Sequence, residues 1–429
     1  MLSVGSKRGG SALNTKNIST GVSDELAVAL LRAELESHPG NNIVVSPLSV
    51  SLALGCLLNG KRPEARKEAS LALGFNVGRS LRGINESYSE LRAALAQNTE
   101  LDLDLANALY GNSDLEFKKN FLNKAQQYFD ARISLLDFQD PSSLVLMNSF
   151  ICQKTKGKIA SVVDALESDE GRMLLLNAFF LHGHWKNGFN RLLTQAEEFH
   201  RLDGQPSHCA LMYRRGLTLY TENLKFQAVK LPYGESGRFS MYAILPLAQG
   251  AFGLSAVLDL LAIEGISSYF PRFTSRQCEL FLPRFRVEYS SRLNESLSKL
   301  GFGDTFCTAD EDASSAARSK CGHKCGQHVT LQHKAVVEVD EAGTDKVSPA
   351  REASESGPMR CMFVPFGKVR VRFDRPFFFF VRDEQTETIT AAGYINNPGE
   401  PLSVASEAAM LAANAGVFAR PVELVAARC

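Results

Sequence analysis

The 429-residue sequence reads as an α+β protein built around large, mostly antiparallel sheets. Helical periodicity fills roughly its first third, whereas alternating and long apolar runs fill the rest. No repeat of about 20–50 residues is visible, which removes solenoid and propeller folds. No linker-like stretch interrupts residues 22–300, so one large domain is expected, from 22 to 398. A Gly/Ser/Asn/Lys-rich leader (1–21) precedes it and an Ala-rich tail (399–429) follows.

Taken in order, the helices come first. From Ser23, residues Leu26, Ala29, Leu30 and Leu35 lie near one helical face, and Pro39-Gly40 ends the run. Ser46-Pro47 is a strong helix start, because Ser caps the free N–H groups and Pro suits the first helical position. The nearly all-apolar run Leu48–Leu58 then predicts a helix buried on every side. Further helical patterns cover 63–73, 84–97, 117–131 and 140–154. Leu101-Asp-Leu-Asp-Leu-Ala alternates with period two and predicts a strand. Leu174–Trp185 reads as a strand buried on both faces. Strands are also expected over 225–232, 239–246, 278–288, 333–341, 367–382 and 387–396. Segments 307–330 and 342–366 read as irregular, and long loops in compact domains are usually functional. Residues 404–418 of the tail suit one helix.

Composition excludes several functions. Lys and Arg total 47 and so do Asp and Glu, so no net positive charge points to nucleic acid or an anionic membrane. No apolar stretch reaches the ~18 residues of a membrane helix. The opening decapeptide lacks an apolar core of signal-peptide length. Nine cysteines, an odd number spread along the chain, then read as mostly free thiols in an intracellular, reducing compartment, with an extracellular site as the alternative. Sequons at Asn17, Asn85 and Asn294 carry no weight without secretion.

No enzyme signature holds. A phosphate-binding Gly-Lys-Ser/Thr loop, a His-Glu-x-x-His helix and a Gly-x-Ser-x-Gly elbow are all missing from the sequence. Cys321-Gly-His323-Lys-Cys325 with His328 has ligand-type residues, but its spacing matches no common zinc knuckle and it reads as a loop with free thiols. Phe377–Phe380 reads as a buried strand, since adjacent rings point to opposite faces. Arg214-Arg215 and Lys368–Arg372 read as solvated faces or strand edges. No cofactor and no metal are expected.

The order of several motifs resembles the serpin family over residues 22–398. Asn42-Ile-Val-Val-Ser46-Pro47-Leu-Ser49-Val resembles its opening strand and second helix. Asn148–Ile159 resembles its N-x-x-V-x-x-x-T-x-G-K-I segment, and Leu176–Phe189 the strand carrying its characteristic Trp. Leu282-Pro283-Arg284-Phe285, His333–Thr344, Phe373–Phe377 and Gly393–Pro398 are similar to later family segments. The resemblance implies three β-sheets, eight or nine helices and an exposed reactive loop, at about 342–366. It implies a suicide-substrate inhibitor of serine endopeptidases, not an enzyme, expected as a monomer. A protease cleaves the loop, the loop inserts as a strand in the largest sheet, and the acyl-enzyme is dragged and distorted before it can deacylate.

Carried over residue by residue, Ser49, Asn177 and His333 match a polar cluster under the middle of the opening sheet. Trp185, Arg284 and Glu341 match the point where the loop enters it. Glu341, Ala342, Gly343 and Thr344 match the hinge, with Gly343 supplying backbone freedom. The loop then departs from the inhibitory pattern of small residues. If Thr344 points inward on insertion, so do Lys346, Ser348, Ala350 and Glu352, and Pro349 lacks a ladder N–H. Counting from Glu341 places the scissile bond at Gly357-Pro358, a poor protease substrate, and 35 positions separate Glu341 from Pro376. Counting back from the closing strands gives Arg360-Cys361 or Cys361-Met362; Arg360 fits a trypsin-like pocket and Met359 or Met362 an apolar one. The reading adopted is a protease inhibitor acting at Arg360-Cys361. A non-inhibitory binding or chaperone-like protein with an insertion-incompetent loop is the alternative.

Overall fold

The structure is a computed structural model that describes residues 24–76, 78–166, 172–308, 316–319, 327–342 and 369–399. The leader and the tail helix expected at 404–418 lie outside the described residues. The helical first third comprises α1 (Asp24–Ser37), β1 (Ile43–Val45), α2 (Pro47–Leu58), α3 (Pro63–Ala72) and α4 (Leu81–Ala96). Ser46 caps α2 as expected: its hydroxyl accepts the Ser49 N–H, and all twelve residues of the helix are buried. Next come β2 (Leu101–Asn112), β3 (Leu115–Phe117), α5 (Lys119–Lys124), β4 (Arg132–Leu136), α6 (Pro141–Lys154) and β5 (Met173–Gly183). The helix expected over 117–131 spans 119–129, its second half in π-helical form. After α5 a π-turn closes on Asp130, whose left-handed backbone (φ 50°) stops the helix and releases the chain into β4.

The strand-rich part holds β6 (Gln195–His200), β7 (Pro206–Glu222), β8 (Phe226–Pro232), β9 (Phe239–Pro246), α7 (Gly250–Glu264), β10 (Thr274–Pro283) and β11 (Phe285–Arg292). It ends with α8 (Asn294–Leu297), α9 (Gly303–Phe306), β12 (Cys307–Thr308), β13 (Ala317–Ser319), β14 (Gln327–Val339), β15 (Val369–Arg372), β16 (Phe377–Asp383) and β17 (Thr388–Ile395). Two expected strands each split. The 278–288 run is the end of β10 and the start of β11, in different sheets and separated by Arg284. The 367–382 run breaks at Pro376 into β15 and β16. The segment read as irregular, 307–330, contributes β12, β13 and the start of β14.

Among the described residues the strands form three sheets. Nine strands make the first, in the order β1-β17-β16-β9-β8-β7-β10-β15 with β6 added to β7. The second runs β11-β14-β5-β2-β4, with β12 on β14, and a two-strand ribbon pairs β13 with β3. Phe377–Phe380 sit buried in β16 between β17 and β9, as a core strand rather than a stacking platform. Arg214, expected on a solvated face, is instead half-buried over the Phe189 ring at 5.3 Å, and burial lowers its pKa to about 10.

Candidate functional site at the open end of the central sheet

In the second sheet, β5 and β14 are parallel neighbours, in register from Met173↔Val329 to Leu181↔Val337. Both faces of this pair are sealed. Leu175, Phe179, Leu331 and Ala335 join the main core on the α2 side, while Leu174, Phe180 and Val336 pack with Met147 and Ile151 of α6 on the other. Antiparallel ladders flank the pair: Phe285↔Val339 ends β11 on β14, and Leu101↔Gly183 ends β2 on β5. The β5–β14 ladder stops earlier, so the sheet is open between them at one end.

Ser49, Asn177 and His333 come together below this seam. Asn177 and His333 are cross-strand partners, and Asn177 Oδ1 accepts from His333 Nδ1 at 2.5 Å. The Asn177 amide nitrogen lies 2.6 Å from Ser49 Oγ, 2.9 Å from the Ser49 carbonyl and 2.5 Å from Asn107 Oδ1. His333 Nε2 accepts from the Ser46 N–H at 3.3 Å, which fixes the proton on Nδ1. Complete burial disfavours the imidazolium and pushes His333 down to about 3 from its ordinary 6.5. Asn107 was not singled out from the sequence. Its signal was there: Leu101, Leu103 and Leu105 hold the apolar phase of β2, and Asn107 is the next residue in that phase.

At the open end, β14 runs through Asp340 into Glu341 and Ala342. Trp185 fixes this turn through its backbone and its indole: Nε1 donates to the Asp340 carbonyl at 2.7 Å, and its N–H to the Ala342 carbonyl at 2.9 Å. The ring itself stacks on Tyr233, with centroids 4.4 Å apart. Glu341 is buried. Its Oε1 accepts from Thr194 Oγ1 at 2.9 Å, and the Phe189 N–H donates to its carbonyl. Its Oε2 has no hydrogen-bond partner and faces Arg284 Nη1 and Arg191 Nε, each at 3.9 Å. The structure thus brings Trp185, Arg284 and Glu341 together, with two guanidiniums sharing one carboxylate oxygen. Arg191 and Thr194 sit in a turn with no periodic pattern to mark them.

Gly343, Thr344, Arg360 and Cys361 lie outside the described residues, as do Lys346, Pro349 and Cys321, His323 and Cys325. Among the described residues no group of three or more His, Cys, Asp or Glu is placed to hold a metal ion, and no single helix is long and apolar enough to cross a membrane.

A buried strand that ends beside a parallel neighbour, with the sheet open between them, agrees with the family comparison. The family model described as Serpin (serine protease inhibitor) matches residues 22–398. The chain belongs to the serpin family. Leukocyte elastase inhibitor of Sus scrofa is 30% identical over 384 residues, spanning 87% of this chain and 97% of the relative. Corticosteroid-binding globulin of Bos taurus is 27% identical over 379 residues, spanning 87% and 89%. The thermophilic serpin tengpin in its native state superposes with a TM-score of 0.75 at 23% identity, covering 92% of this chain and 96% of that one. Serpin relatives therefore include both protease inhibitors and binding globulins, and the fold is the serpin fold.

Proposed function

We propose that this serpin is a suicide-substrate inhibitor of serine endopeptidases, with Arg360-Cys361 as the bond presented to a trypsin-like enzyme. The observation that carries the reading is the direct parallel pairing of β5 and β14, with the hinge leaving β14 at its open end. A chain turning back at Ala342 runs antiparallel to both strands. Inserted between them, it replaces one parallel ladder by two antiparallel ones, which pair slightly better per residue. The cost is parting the His333–Asn177 contact, so the Ser49–Asn177–His333 cluster is assigned to gating. The Glu341–Arg284–Arg191 contact and the Trp185 hydrogen bonds are assigned to holding the hinge before cleavage. An unpaired-thiol state in a reducing compartment suits Cys56, Cys152, Cys209 and Cys278, which are all free.

One specific observation favours the second reading, a non-inhibitory binding or chaperone-like serpin: the loop sequence places Lys346 and Pro349 where insertion wants small side chains with free N–H groups. Incubation with trypsin-like proteases separates the two. An inhibitor yields an SDS-resistant complex and a new N-terminus at Cys361. Complete cleavage with no complex, or a first cut elsewhere in 342–366, refutes the inhibitor reading or the Arg360 assignment respectively.

A further inference from the structure

The β5–β14 ladder ends at Leu181↔Val337, and the next side chain on β5 is His182. Its imidazole lies where the two strands begin to part and is largely buried. Both ring nitrogens face carboxylates. Nε2 is 3.3 Å from Asp340 Oδ2 on the far side of the gap, and Nδ1 is 3.9 Å from Asp102 Oδ2 on β2, the cross-strand neighbour of His182. A neutral imidazole has one N–H, so it must turn a lone pair toward one of these two anions. An imidazolium donates to Asp340 and sets its charge against Asp102 as well. Asp340 belongs to the segment that becomes the hinge: its Oδ1 accepts the Ala342 N–H at 2.8 Å and its carbonyl accepts the Trp185 indole.

We propose that protonated His182 is a latch that ties β2 and β5 to Asp340, the residue after β14, holding the sheet shut where the loop would enter. The latch is a positioning device: it touches no protease and acts through the hinge that Asp340 anchors. It deepens the inhibitor reading above and rests on it for its effect on insertion, though not for its existence. The other charged groups around His182 fit the assignment. Glu338 on β14 adds a further negative charge, partly offset by Arg286 at 3.0 Å. Arg191 acts on Asp340 from the turn after β5, and Lys156 acts on Asp102 from the end of α6 while pairing with Asp104 at 2.9 Å. His184 meets the His182 ring edge-on at 5.8 Å. The hydrogen bond to Asp340, opposed by burial and helped by the surrounding carboxylates, raises the His182 pKa above 6.5, and the same bond helps keep Asp340 below the usual carboxylate range. A raised imidazole pKa gives a contact that is full at low pH and lost as pH rises through the folded value.

The test is amide exchange of the intact chain at pH 5.5 and pH 8, corrected for the intrinsic rate, over residues 178–182 and 336–341. His182→Gln removes the charge and His182→Lys keeps it at both pH values. Relative to His182→Gln at the same pH, the wild type should be several-fold better protected at pH 5.5 and lose that advantage at pH 8. His182→Lys should hold that advantage over His182→Gln at both pH values. A wild type with no pH dependence, or His182→Gln keeping the wild-type dependence, overturns the latch. Complex formation with trypsin, scored separately, keeps the two readings apart. The latch profile without any SDS-resistant complex supports the latch and refutes the inhibitor, whereas complex with a flat profile refutes the latch alone.

Discussion

His333 sets a stability limit that acid should expose. Its ring is completely buried, donating to Asn177 and accepting from the Ser46 N–H, so a second proton has no acceptor. Burial holds the folded pKa at about 3, against 6.5 for the free group. The sign follows from linkage: the unfolded chain binds a proton that the folded chain refuses, so stability is full above 6.5 and falls as pH drops. Each unit is worth about 1.4 kcal/mol, so the loss is roughly 2 kcal/mol at pH 5, rising toward about 5 kcal/mol as pH nears the folded value. Other groups titrate in the same range, so the assay is a difference. Urea unfolding of wild type and His333→Gln is followed from pH 7.5 to 5; Gln keeps one donor and one acceptor for Asn177 and Ser46 but cannot take up a proton. The wild type should lose about 2 kcal/mol more than the variant over this interval. Curves that stay parallel within about 0.5 kcal/mol would show that the imidazole is not sealed from protons, and that its neutral form is not what the cluster selects.

Two further outcomes follow from other parts of the chain. Asp383 is fully buried and accepts from Arg238 Nε and Nη2 at 2.9 and 2.7 Å, and from the Gln385 N–H and the Thr386 hydroxyl. Asp383→Asn leaves the largely covered Arg238 charge without its partner and should cost roughly 3–5 kcal/mol, read as a lowered urea midpoint. The double change Lys346→Ala and Pro349→Ala should raise the fraction of cleaved loops that end as trapped protease, and should raise the gain in Tm on cleavage. Equal trapping by the wild type would show that both residues are tolerated in an inserted strand.

Much of the frame was legible because local signals agreed with the fold. Ser46-Pro47 followed by an unbroken apolar run could only be a buried helix, and α2 is one. The failures have distinct causes. In α7 the apolar residues run nearly all round, with Phe252 75% and Ile263 83% exposed, so no stripe marked it as a helix. Across Arg284 the buried phase shifts from Cys278, Leu280 and Leu282 to Phe285, Val287 and Tyr289, so one strand over 278–288 missed the break between β10 and β11. The 17-residue β7 carries Arg214-Arg215 and Gly216 in its middle, where composition argues for a turn. At the site, Asn177 and His333 were named through family resemblance, whereas Asn107 needed only the phase of β2. The partners of Glu341 lay beyond any pattern. Arg191 and Thr194 reach it from a turn about 150 positions upstream, and neither spacing nor periodicity encodes that approach.

Belonging to the serpin family leaves open whether the loop goes in, because insertion is an energetic question about particular side chains. The gap between β5 and β14 is walled on both faces, by α2 and the main core on one side and by the α6 cluster on the other. Any strand placed there alternates its side chains between these walls. Counting from the hinge, one phase carries Lys346 and Glu352, and the other carries Asp345, Arg351 and Glu355. Neither choice of phase avoids burying charge. Within each phase opposite charges stand four or six residues apart, roughly 13–20 Å along a strand, too far to pair with each other. Each unpaired charge costs several kcal/mol unless it reaches solvent, whereas exchanging a parallel ladder for two antiparallel ones returns a modest gain per residue. Full insertion therefore requires that these charges find partners in the walls. The described walls supply Asn107, Asn177 and His333 on the α2 side, neutral groups already satisfied by one another. Under the proposed inhibitor reading, protease trapping therefore depends on whether the acyl bond survives long enough for the chain to carry Lys346 and Glu352 into the gap.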